Sequence, residues 1–119
     1  MIKADEYGWS LELPANKWQG CTFEGTTLIK LNCSDNELTE LPAGLPQCVS
    51  LNILYCSGNE LKKLPDLSKC VSLKTLSCFD NQLTELPDLS KCVSLVDLYC
   101  YNNQLTEELK VPSGTKVYK

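Results

Sequence analysis

Along most of the chain, apolar residues recur with a fixed beat. The string L-x-x-L-x-C-x-x-N-x-L occurs four times, at 28–38, 51–61, 73–83 and 95–105, and its first leucines are 23, 22 and 22 residues apart. Counting each unit from that leucine, apolar side chains fall at positions 1, 4, 6, 11, 14, 17 and 20, as in Leu73, Leu76, Cys78, Leu83, Leu86, Leu89 and Cys92. Within "KTLSCFD" alternate residues point to opposite faces, so Leu76 and Cys78 face inward while Thr75, Ser77 and Phe79 face outward. One short strand per unit is the predicted result. On the segment that follows, Pro42, Pro65 and Pro87 fix φ and withhold a backbone donor, which keeps the chain extended and disfavours a continuous helix.

A unit of this length that cannot bury its apolar face alone must stack on its neighbours. The layout resembles the leucine-rich repeat family, in particular the 22-residue class of bacterial internalins and of phosphatase regulators, with Cys where Leu is usual at positions 6 and 20. The resemblance implies an α/β-type repeat solenoid, with short parallel β-strands on the concave face and irregular or 3₁₀ turns on the convex face. It also implies that the Asn at position 9 (Asn36, Asn59, Asn81, Asn103) buries its amide against backbone groups of neighbouring units.

The resemblance covers about residues 9 to 107 of a single domain spanning 1–119: a degenerate capping repeat at 1–27, four regular repeats at 28–107, and a C-terminal cap at 108–119. In the first cap Leu11, Leu13, Asn16 and Trp18 keep the spacing, and Trp9 and Trp18 are expected to cover the end of the core. The insertion within 41–48 adds one residue to an outer turn, where extra length costs little. In the tail, Glu107 and Glu108 break the pattern, and residues 116–118 are expected to form a last strand over the sheet edge.

Eight cysteines in 119 residues raise the question of a disulfide scaffold. Position argues otherwise: Cys33, Cys56, Cys78 and Cys100 hold position 6, Cys48, Cys70 and Cys92 hold position 20, and Cys21 falls where position 14 is expected. All are inward sites. Equivalent residues of stacked strands lie about 4.8 Å apart with parallel Cβ vectors, whereas a disulfide needs converging Cβ atoms about 3.8 Å apart. The thiols are therefore read as small packing residues, which suits a reducing compartment. With no C-x₂-C pair and no His in the chain, neither a metal site, a cofactor site nor imidazole catalysis is expected. The recurring carboxylates Glu40, Glu85, Asp66 and Asp88 read as a solvated outer face rather than as an acid–base pair.

Charge narrows the partners. A balance of 11 basic and 15 acidic residues, net −4, offers no cationic surface for phosphates, so nucleic acid is not an expected partner. The first ten residues, "MIKADEYGWS", carry charges where a signal peptide has its apolar run, and no stretch approaches the roughly 20 apolar residues of a membrane span. The reading is a soluble, cytoplasmic protein with no membrane partner.

The working surface is read from a comparison of two units. Residues 64–85 and 86–107 differ at only five places, Lys74/Val96, Thr75/Asp97, Ser77/Tyr99, Phe79/Tyr101 and Asp80/Asn102. All five fall on the outward strand face or its margin, while the equally exposed pairs Asp66/Asp88, Ser68/Ser90, Lys69/Lys91 and Gln82/Gln104 are unchanged. Drift alone would touch both faces. The candidate site is therefore an aromatic patch of Tyr55, Phe79, Tyr99 and Tyr101 beside Ile53, edged by Asp80, Asp97 and Asn102, on a non-enzymatic module that binds a protein or peptide. Self-association through the patch, glycan binding, service as a secreted or host-delivered bacterial effector, and membership of a larger repeat protein are the alternatives. If outward positions are assigned correctly, Tyr99→Ala changes stability by about 0.5 kcal/mol or less and weakens binding by about 2 kcal/mol.

Overall fold

The computed structural model describes residues 20–24, 27–42 and 44–119. Trp9, Leu11, Leu13, Asn16 and Trp18 lie outside the described residues. Six strands form one sheet in chain order: β1 (Gly20–Glu24), β2 (Thr27–Asn32), β3 (Ile53–Tyr55), β4 (Thr75–Ser77), β5 (Asp97–Tyr99) and β6 (Lys116–Tyr118). From β2 onward every pairing is parallel, with Lys30, Ile53, Thr75, Asp97 and Lys116 side by side. The chain is thus a parallel-strand solenoid, and each turn of the coil returns it to the same register.

The inward positions of the repeat are the core. Leu31, Leu54, Leu76 and Leu98 at position 4 are fully buried, as are Leu51, Leu61, Leu67, Leu73 and Leu83. Seven of the eight thiols are buried in two columns, and all eight are free. Burial pushes the Cys33 and Cys70 thiols up to about 12 and the Cys48 thiol up to about 11, so these groups stay protonated and unreactive. Three S–H groups also reach carbonyls one turn away, Cys92 to Leu67 O at 3.3 Å, Cys56 to Ser77 O at 3.4 Å and Cys70 to Leu45 O at 4.0 Å.

Asparagines close the polar side of each junction. Asn59 Oδ1 accepts from the Asn36 and Leu38 amides of the preceding turn at 2.9 and 3.0 Å, and its Nδ2 donates to Cys33 O and Cys56 O at 3.1 and 2.9 Å. Asn81 repeats the pattern with Leu61 N, Cys56 O and Cys78 O, and Asn103 with Leu83 N, Cys78 O and Cys100 O. One side chain therefore satisfies backbone groups of two turns that the strand pairing leaves over.

On the convex side, the residue inserted within 41–48 is absorbed in a 3₁₀ turn, Leu45–Gln47. The other outer segments are irregular, closed by short backbone bonds such as Cys70 N to Leu67 O and Cys92 N to Leu89 O at 2.9 Å. Among the described residues no helix is long and apolar enough to cross a membrane.

The N-terminal arm departs from the repeat reading. Cys21 does not sit on an outer turn but in β1, which runs antiparallel to β2 with Cys21 opposite Leu31. Its reason lies in local alternation: Cys21 and Phe23 are half-buried against the core while Thr22 and Glu24 are exposed, a two-residue period that the repeat spacing masks. At the other end the tail supplies β6, tied to β5 by Lys116 N to Val96 O at 2.8 Å and Cys100 N to Tyr118 O at 2.9 Å.

Candidate interaction surface

Outward residues of the strands line up in columns on the concave side. Ile53, Thr75 and Asp97 are half-buried neighbours in the first column, which begins with Lys30 and ends with Lys116. The second column runs Asn32, Tyr55, Ser77, Tyr99, Tyr118. Tyr118 was not among the residues anticipated for the site. The tail reaches β6 by a shorter connection than the 22-residue period, so counting repeats does not find it.

Rings in adjacent strands stack on one another. Phe79 and Tyr101 lie with centroids 4.6 Å apart and planes 7° from parallel, and Tyr99 and Tyr118 do the same at 4.5 Å and 8°. These separations are close to the strand spacing, about 4.8 Å, so the rings pile up along the direction in which strands succeed each other. One face of each ring is turned to its partner; Phe79 and Tyr99 are half-buried, and Tyr101 and Tyr118 are exposed. Tyr55 stands apart: Ser77 occupies the column between it and Tyr99, and the Lys30 ammonium sits 5.3 Å from the centroid of its ring. Ser77, read as outward, is indeed on this face but is only 5% exposed among the flanking side chains.

The margin of the face is held by backbone geometry. Asp35, Gly58, Asp80 and Asn102 all have positive φ, at 57°, 68°, 55° and 55°. Aspartate, asparagine and glycine are the residues that tolerate this left-handed region. Gly58 has a second constraint, since a Cβ there would collide with Asp35 Oδ1. In the two near-copies this corner brings Asp80 and Asn102 together, Nδ2 of Asn102 donating to Asp80 Oδ1 at 2.6 Å. Asp97 lies across the face from that pair; desolvation first, and then the charge of Asp97 with those of Tyr118, Tyr55 and Tyr101, raises the Tyr99 phenol above its ordinary range.

Of the eight anticipated residues, Phe79 with Tyr101 and Asp80 with Asn102 are thus in direct contact. Tyr99 instead pairs with Tyr118, and Tyr55 with Lys30. The stacking also alters one expectation: Tyr99→Ala removes a ring–ring contact worth about 1 kcal/mol, more than the exposed position alone suggested.

The convex side carries a hollow of about 490 Å³ lined by Lys63, Asp66, Glu85, Pro87, Asp88 and Lys91. Here Asp66 and Asp88 accept from the Ser68 and Ser90 amides at 2.9 Å; the Ser68 amide and then its hydroxyl hold the Asp66 carboxyl below its ordinary range, and the Ser90 hydroxyl and then its amide do so for Asp88. Such acids stay ionised at neutral pH and are poor proton donors. Among the described residues no group of three or more Cys, Asp or Glu is placed to hold a metal ion.

A family profile described as "Leucine Rich repeats (2 copies)" matches residues 26–69 and 71–111, most of the chain. The chain belongs to the leucine-rich repeat family. Among solved structures it is similar to a Shigella effector leucine-rich-repeat domain, with 32% identity and a TM-score of 0.63 over 72% of this chain and 36% of that one. It is also similar to YopM from Yersinia enterocolitica, with 26% identity and a TM-score of 0.52 over 74% of this chain and 23% of that one. The chain therefore spans well under half the length of either. No curated protein matches it.

Proposed function

We propose that this leucine-rich-repeat chain is a non-enzymatic binding module whose concave face docks a protein or peptide. The observation that carries the reading is the pair of ring stacks, Phe79–Tyr101 and Tyr99–Tyr118, flanked by Asp80, Asn102 and Asp97. Stacking fixes the rings before a partner arrives, so little side-chain entropy is lost on docking. Ile53 and Tyr55 extend the same surface toward the N-terminal end. Each ring lends one face to its partner and keeps the other, and the carboxylates and amide of Asp80, Asp97 and Asn102 beside the rings add hydrogen-bonding groups for the backbone of a polypeptide.

Affinity capture from the source organism, comparing the wild-type chain with a folded Phe79→Ala, Tyr99→Ala, Tyr101→Ala variant, tests the reading. A protein held by the wild type and lost by the variant supports it. Equal retention by both moves the site off the concave face.

A second reading, that the module serves within a delivered bacterial effector, is favoured by the 32% identity to the Shigella effector domain. A reporter fused to the full-length natural protein should then leave secretion-competent cells and stay inside secretion-deficient ones; retention in both removes this reading.

A further inference from the structure

Among the described residues β6 is the last strand of the sheet, and three features converge at its outer edge. The first is the backbone. Lys116 N and Tyr118 O bond to β5, so by strand alternation the N–H and C=O of Val117 point the other way, away from the sheet. The second is the end of the core. Leu105, Leu109, Val111 and Val117 are only partly buried, whereas Leu83 and Leu98 one turn earlier are fully buried. The third is the ring column: Tyr99 covers one face of Tyr118, which is nonetheless 41% exposed.

We propose that this edge pairs with the same edge of a second copy, the two β6 strands running antiparallel about a two-fold axis at Val117. The sequence of β6 is complementary to itself in that register. Val117 faces Val117 and exchanges both backbone hydrogen bonds, as a hydrogen-bonded antiparallel pair requires. Lys116 of each copy then faces Tyr118 of the other. Ammonium is thereby set against an aromatic ring rather than against ammonium, a match already present within the chain where Lys30 lies over Tyr55. Edge lysines ordinarily discourage strand pairing, but here the register places none opposite another. On the core side the partly buried Val117, Leu109 and Val111 gain a cover. Such an interface is isologous and closes as a dimer. The contact shares Tyr118 with the concave surface but needs no ligand and leaves Phe79 and Tyr101 untouched, so self-association of the purified chain is read separately from partner capture.

Sedimentation equilibrium on the purified 119-residue chain, from micromolar to millimolar, is the test. The mass should rise with concentration from 13.3 kDa to twice that value. Tyr118→Lys, which sets two ammonium groups face to face, should raise the dissociation constant at least tenfold. Adding Lys116→Tyr to Tyr118→Lys restores the complementarity in mirror order and should recover the dimer, which separates loss of pairing from loss of fold. A mass of one chain throughout the range overturns the proposal. So does a dimer indifferent to Tyr118→Lys, or one that the double exchange fails to rescue.

Discussion

Raising the pH above 9 should weaken this fold through its buried thiols. Cys33 has its pKa pushed from the ordinary 9.0 to about 12 by desolvation, and burial drives Cys56 and Cys78 upward too, aided by neighbouring thiols of the same column. Folded, these groups keep their protons; unfolded, they release them from pH 9 upward. Their contribution to stability is therefore intact below 9.0 and is lost progressively as the pH climbs toward the folded values. One pH unit above the unfolded pKa, each sealed thiol costs about 1.4 kcal/mol. The three together remove about 4 kcal/mol, a large share of the roughly 5 to 15 kcal/mol that holds a domain. Urea unfolding at pH 8, 9 and 10 under a reducing agent measures the loss. Lysine and tyrosine titration is removed by comparison with a Cys33→Ala, Cys56→Ala, Cys78→Ala variant, which starts less stable but should show a slope shallower by that amount. Equal slopes in the two proteins would refute the argument that these thiols are sealed in the core.

Leu76→Ala opens a cavity at a fully buried position and should cost about 2 to 5 kcal/mol in a urea titration while leaving the ring stacks on the opposite face in place. Asn81→Ala leaves Leu61 N without its acceptor and takes one of two donors from Cys56 O and Cys78 O, which keep Asn59 and Asn103, for a loss of about 2 kcal/mol; wild-type stability in that variant would mean water replaces the amide without cost. Gly58→Ala meets both a φ of 68° and the Asp35 carboxylate, and should lower stability by about 1 to 3 kcal/mol, readable as a fall in the unfolding midpoint.

What repeats was legible in the sequence, and what happens once was not. The inward assignment of Leu76 and Cys78, the side-by-side register of Ile53, Thr75 and Asp97, and the junction asparagines all follow from a period sampled four times. The β1 arm has no second copy to compare with, so the alternation of residues 21–24 was lost beneath an expected turn. The outward residues do share one face of the sheet, but their contacts were out of reach. Whether a ring lies flat over its neighbours or stands edge-on depends on side-chain torsions and on the size of the residue one strand away. Serine at 77 isolates Tyr55 from Tyr99, whereas phenylalanine at 79 gives Tyr101 a partner.

The junction asparagines also bear on how such a chain can change its length. Each reaches one turn back, and the bonds of Asn81 to the turn before it are those of Asn103 to the turn before that one. Unequal exchange between the near-identical segments 64–85 and 86–107 would therefore delete or add one whole unit and join ends that already fit. The five positions that differ between the copies would be reshuffled along the concave face without a new junction having to be invented. A fold built this way can vary the reach of its surface, and its pattern of rings and carboxylates, by copying errors alone.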